Sequence, residues 1–197
     1  QAEAAMSPCG HYRWWLRRQW HSGRPTLVFV GLNPSRADGR RDDPTLRRLL
    51  GFADRWGFGA LEVVNLFARI SASPALLRRA LDPVGEANDR WLRRALGAQG
   101  GAAPAAIWLG WGNQGGWRDR HLEVWQLLHD IGPGREHQLL ALGLTAAGQP
   151  RHPLYVAAAT PPQPLLLAQT PQPGASCGQR AAPPWLAHRA ATPSICI

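Results

Sequence analysis

The chain has 197 residues, with 22 arginines and no lysine against 13 acidic residues, for a formal charge of +9. That length suffices for one domain with its own core, so no disulfide or metal staple is needed, and a 45% hydrophobic share excludes wholesale disorder. No run approaches the ~18 apolar residues of a membrane span, the N-terminus has Glu3 and no apolar stretch of a secretory signal, and Cys9, Cys177 and Cys196 are too few and scattered for a disulfide framework or a four-thiolate site.

No membrane partner, metal or cofactor is therefore expected, and a reducing cytoplasm is the default compartment. The excess of basic charge attracts phosphate, so nucleic acid or a nucleotide is the first partner to consider. Arginine without lysine is a codon preference and says nothing about function. Oligomeric state is not legible.

The predicted elements alternate. Tyr12, Trp14 and Leu16 at spacing two suggest a strand, and the apolar run Thr26 to Val30 a second one. With the turn Ser22-Gly23-Arg24-Pro25 between them, the two read as a hairpin. Asp43-Pro44 fits an N-cap followed by proline at the first helical position. Leu46, Leu49, Leu50, Ala53 and Trp56 then hold one helical face, with Phe52 in the same stripe, up to Gly57. Leu61 to Phe67 is a strand. Ser73-Pro74 opens a short helix and Asp82-Pro83 another, carrying Trp91, Leu92 and Leu96. Ala105 to Trp111 is a strand, Gly112 to Gly116 a glycine-rich loop, and Leu122, Trp125 and Leu128 mark a helix. Leu139 to Leu144 is a last strand before Arg151-His152-Pro153-Leu154-Tyr155.

This order predicts a single α/β domain over 8–156: three layers, a mostly parallel sheet of about four strands with helices on both faces. From Ala157 the composition changes. There is no acidic residue, only Arg180 and Arg189 are charged, and proline recurs, so 157–197 reads as a disordered tail in which Leu165, Leu166 and Leu167 could dock.

In parallel sheets the site lies outside the carboxyl ends of the strands. Four segments fall there: Gly31 to Ser35, Val63 to Phe67, Trp108 to Gly112, and Arg151 to Tyr155. Asn33 before Pro34 has an ordinary use as a turn residue. Asn65 is less ordinary, because asparagine is depleted from strands and a buried unpaired amide costs roughly 1–3 kcal/mol. Trp108 and Trp111 read as core. Arginine pairs such as Arg47-Arg48 read as solvated helix faces. The Gly112 loop lacks the Lys-Ser/Thr ending of a phosphate loop, and no close His/Cys set supports zinc.

Taken in order, the four segments resemble the landmarks of the uracil-DNA glycosylase superfamily: a first strand ending in Gly-x-Asp/Asn-Pro, a second ending in Asn, a third reading Leu-Leu-Trp-Gly, and a last His-Pro-Ser. Over roughly residues 8 to 165 the chain is also similar to an uncharacterised bacterial family, domain of unknown function 1643. Its hallmarks are Leu32 to Ser35 with Asp38, Asp42 to Arg48, Val63 to Phe67, and Arg151 to Tyr155. The second resemblance brings no activity. The first implies cleavage of a base from its sugar.

On that resemblance, Asn33 orients the water, with Asp38, Asp42 or Asp43 assisting; these acids equally serve helix capping or pairing with Arg40 and Arg41. Asn65 reads an amide-like base edge, and His152 donates toward the base oxygen. Ser35, Arg36, Arg40, Arg41 and Arg151 face phosphate. The last motif departs from the pattern: His152-Pro153-Leu154-Tyr155 lacks the serine, and Leu154 or Tyr155 becomes a candidate wedge in a vacated base position. The implied activity is a glycosylase-like hydrolase acting on a nucleobase, nucleoside or DNA base. The alternative is a non-catalytic nucleic-acid- or nucleotide-binding module on the same fold.

Overall fold

The computed structural model describes residues 1–35, 42–97, 104–130 and 139–165. They form one mixed α/β unit with a single seven-stranded sheet, in the order β1-β2-β4-β3-β5-β6-β7. The strands are β1 (Ala2–Met6), β2 (Arg13–Gln19), β3 (Thr26–Gly31), β4 (Ala60–Asn65), β5 (Ala106–Leu109), β6 (Leu139–Ala141) and β7 (Gln163–Pro164). Four α-helices accompany them among the described residues: α1 (Pro44–Arg55), α2 (Pro74–Arg78), α3 (Asn88–Ala95) and α4 (Arg120–Asp130).

The centre of the sheet, β4-β3-β5-β6, is parallel, as the alternation of strands and helices predicts. Antiparallel β2 and β1 extend one side and antiparallel β7 the other, so the sheet is larger than the expected four strands. β1 is an alanine-rich edge strand, and β7 contains Pro164; neither shows the apolar alternation that marks a strand facing a core. Proline is tolerated at an edge because a ladder donor is dispensable there.

The expected hairpin between the second and third strands does not form. β2 pairs with β4, and β4 lies between β2 and β3. The Leu61–Asn65 run satisfies both neighbours: Leu16 pairs with Val63 on one side and Phe29 with Val63 on the other.

Successive side chains of β3 point to opposite faces. Leu27 and Phe29 join the core beneath α1, with Leu46, Leu49, Phe52, Ala53 and Trp108. Val28 and Val30 join the core beneath α3 and α4, with Leu92, Leu96, Val124, Trp125 and Leu128. The sheet is thus buried on both faces, which is why its central strands read as apolar runs.

α1 begins where the sequence marks it. Asp43 accepts from Leu46 N at 2.7 Å, and Pro44 occupies the first turn. Asp82-Pro83 does not open α3. The Asp82 carboxylate accepts from Val84 N and Gly85 N, closing a turn, and Gly85 at φ +80° holds the helix off until Asn88. Beyond residue 156, the described part of the proline-rich segment packs against the sheet. Gln163 and Pro164 pair with Ala141 and Leu140, and Leu165 is buried in the α3–α4 core. The disorder expected for the rest of that segment falls on 166–197, outside the described residues.

Candidate functional site

The carboxyl ends of the parallel strands surround a cleft of about 630 Å³, lined among others by Asn33, Ser35, Trp111, Asn113, Arg151 and His152. Its volume is within the range of small-molecule sites, ~300–1,000 Å³. Below it lies a recess of about 30 Å³, lined among others by Arg13, Asn33, Asp43, Asn65 and His152. Leu32, Asn33, Ser35, Thr45 and His152 border both spaces. The recess has the volume of about one water molecule, ~30 Å³.

Asn33 follows the end of β3. Its Nδ2 donates to Pro34 O at 2.9 Å and to Ser71 O at 3.0 Å. Two carbonyl acceptors fix the orientation of the amide, commit both its protons, and tie the loop after β3 to the loop after β4. Its Oδ1 is the atom left to accept.

Asn65 is the last residue of β4 and is 3% exposed. Its Nδ2 is buried with no hydrogen-bond partner among the described residues. The strand end is held from behind. Asn88 Nδ2 donates to Asn65 O at 3.1 Å and Leu66 O at 3.0 Å. Arg120 Nε donates to Leu66 O at 2.7 Å, and the same guanidinium pairs with Asp89 and Glu123. A deeply anchored backbone thus presents an amide donor that no described residue satisfies.

His152 arrives on the loop after β6. Its Nδ1 accepts from Leu154 N at 3.3 Å and caps the short 3₁₀ turn Pro153–Tyr155. Nδ1 is therefore the unprotonated nitrogen and Nε2 carries the proton. Burial pushes the His152 pKa below its usual value. The ring is a neutral donor at pH 7. Gly112, at φ +68°, passes so close that a β-carbon there would stand 3.4 Å from His152 Cβ.

Three residues predicted from three separate strand ends, Asn33, Asn65 and His152, thus border one recess. Asp43 and Ser35 are there too. Asp43 Oδ1 caps α1, and its Oδ2 accepts the Ser35 hydroxyl. Arg151 lines the cleft, with its Nε on Leu144 O at 3.0 Å. Asp42 lines neither space and pairs with Arg18 at 2.8 Å. Arg36, Asp38, Arg40 and Arg41 lie outside the described residues.

Trp108 is core, ringed by Phe29, Phe52 and Trp56. Trp111 is almost fully buried too, with Nε1 donating to Gln149 Oε1 at 2.7 Å, yet it also borders the cleft. Leu154 and Tyr155 stand at the mouth, and Tyr155 is 84% exposed.

Two arginines differ from their reading in the sequence, which does not single out Arg13 and assigns Arg48 to a solvated helix face. Arg13, 4% exposed, borders the recess; a charge inside an aromatic strand was its only signal. Arg48 is not on a solvated face, for it donates to Pro153 O at 3.2 Å and to Val156 O. Periodicity assigns Arg48 a side of α1 but not the loop, a hundred residues later, that lies against it.

The set offers a water-sized recess, an amide acceptor, an unsatisfied amide donor and a neutral imidazole donor. Among the described residues, no group of three or more His, Cys, Asp or Glu could hold a metal ion, and no helix is long and apolar enough to cross a membrane. No curated protein and no solved structure matches the chain. One family model does, over residues 13–154, a span that takes in Arg13, Asn33, Asn65, Arg151 and His152; the chain belongs to the family described as Protein of unknown function (DUF1643).

Proposed function

We propose that the protein is a glycosylase-like hydrolase that cleaves the N-glycosidic bond of a nucleobase in a nucleoside, nucleotide or nucleic acid. The observation that carries this reading is the meeting of Asn33 and Asn65, from the ends of β3 and β4, with His152, from the loop after β6, around one recess that shares its lining with a cleft of ligand size. The resemblance to the uracil-DNA glycosylase superfamily supports it, as does a mixed sheet whose parallel centre is buried on both faces.

Cleavage of the C1′–N bond leaves positive charge on the sugar and negative charge on the departing base. A neutral Nε2–H donor at His152 stabilises charge on a base oxygen without giving up a proton. Asn33 Oδ1 orients the attacking water by accepting from it, and Asp43, the carboxylate that lines the recess among the described residues, takes its proton. The recess admits one water or one exocyclic substituent, so Asn65 Nδ2 reads an edge atom of the base while the ring itself occupies the cleft. Ser35 and Arg151, which line the cleft, form the phosphate-facing side.

A second reading, binding without chemistry, is favoured by the exposed Leu154 and Tyr155 beside Arg151 at the mouth. An exposed ring next to a cation is a stacking platform for a base. The deciding experiment offers nucleosides and oligonucleotides carrying uracil, mismatches or modified bases, and measures both base release and binding across salt. Release that falls at least ~10-fold in His152→Ala, or about 1.4 kcal/mol of transition-state stabilisation, supports the hydrolase. Salt-dependent binding with no release leaves the binding module. Neither release nor binding overturns both.

A further inference from the structure

Helix α1 and the turn that carries His152 meet through two arginines and one ring. Arg48 spans the turn: its Nε donates to Pro153 O at 3.2 Å and its Nη2 to Val156 O. Seven residues further along α1, Arg55 Nη2 donates to Ala158 O at 2.7 Å. Between them lies Phe52, fully buried, with the two guanidinium carbons 5.4 and 5.0 Å from its ring centroid. Spacings of four and three place Arg48, Phe52 and Arg55 on one face of the helix. Before His152 the main chain is held by Arg151 N to Gly143 O and Gly112 N to Pro150 O; after it, by contrast, the main-chain hydrogen bonds are local, Tyr155 N to His152 O and Thr160 N to Ala157 O.

We propose that Arg48 is a positioning residue that clamps the Pro153–Val156 turn onto α1 and thereby fixes the His152 ring over the recess, with Phe52 and Arg55 bracing the clamp. The role suits arginine. Its planar fork reaches two carbonyls at once, and it stays charged at every working pH. The acceptors are main-chain carbonyls, so the clamp does not loosen with pH. Among the described residues, the ionisable groups around His152 are Arg13 and Asp43 in the recess, Arg151 and Tyr155 on its own turn, and Arg48 behind it. Only the activity arm of the test rests on the function proposed above.

The test follows the ring nitrogens of His152 by NMR titration of the full chain, in the wild type and in Arg48→Ala, Arg48→Lys and Arg55→Ala. In the clamped turn, burial holds the His152 pKa below its ordinary value. Both Arg48 variants are expected to raise it, because a loosened turn lets water reach the ring. Lysine keeps the charge and loses the fork, so a rise in Arg48→Lys separates position from the mere loss of a nearby cation. Arg55→Ala leaves both Arg48 bonds in place and gives a smaller rise. Circular dichroism establishes that each variant is folded, and Arg48→Gln replaces Arg48→Ala if that chain does not fold. A rise confined to the uncharged variants overturns the proposal, and so does an unchanged titration in all of them. With base release as the readout, the Arg48 variants lower kcat and leave KM in place. A chain that releases no base leaves the titration result standing, so the two readings fail separately.

Discussion

Gly31 and Asn65 pair across β3 and β4, and a β-carbon on Gly31 would stand 2.8 Å from Asn65 Oδ1. The glycine is what lets the asparagine side chain fold back over the strand end. Phe29 closes the other side, with its ring 2.9 Å from the same position. Gly31→Ala therefore overpacks a closed corner and is expected to cost about 1–3 kcal/mol in denaturant unfolding. In the Asn65→Ala background the same change costs less, because one of the two obstructions has gone. Equal costs in both backgrounds would show that the asparagine is not what the glycine accommodates.

The unpartnered Nδ2 of Asn65 carries a second prediction. A buried donor without an acceptor costs roughly 1–3 kcal/mol, so a protein gains nothing by holding one unless a ligand or water completes it. Asn65→Leu keeps the approximate volume and removes the orphan. It is expected to leave unfolding stability within about 1 kcal/mol of wild type, or above it, while abolishing binding of nucleoside ligands in calorimetric titration. Destabilisation well beyond that range would mean that Asn65 is a structural residue.

These two residues also show how far the sequence can be read. Asn33 and Asn65 were legible because each ends an apolar run, and such runs are long at the parallel centre of a sheet, whereas His152 was legible only through the Arg151-His152-Pro153-Leu154-Tyr155 motif. Which run lies beside which was not legible: β2 and β3 are neighbours in sequence, yet β4 separates them, since a strand pairs by register and burial rather than by proximity along the chain. Edge strands β1 and β7 escaped notice because they need no apolar alternation. Arg13 escaped notice and Arg48 was assigned to a solvated face for a shared reason. A sequence shows that a charge exists but not which carbonyl or recess tertiary structure brings to it.

Arg120 anchors the site from beneath. It is buried, donates to Leu66 O next to Asn65, and pairs with Asp89 and Glu123, both partly open to solvent. Arg120→Met removes the charge and keeps much of the volume. The acids can regain water, so the loss is expected at the low end of the range for broken buried pairs, about 3 kcal/mol. Wild-type stability in this variant, measured by denaturant unfolding, would assign the anchoring of β4 to Asn88 alone.

Acid sensitivity follows from two histidines. Burial lowers the pKa of His152, and burial also lowers that of His121, opposed by Asp119 and by a hydrogen bond from its nitrogen to the Gly115 backbone. In the unfolded chain both titrate near the ordinary 6.5. Above that pH neither state is protonated and the histidines contribute nothing. Below it the unfolded chain binds protons that the folded chain refuses, so stability falls as pH drops from 6.5 until the lowered folded values are passed. Denaturant unfolding between about pH 8 and 5.5, above most carboxylate titration, isolates the effect. His152→Gln and His121→Gln each flatten the slope, and the double variant flattens it further. A slope unchanged in the double variant would show that neither ring is buried as a neutral base.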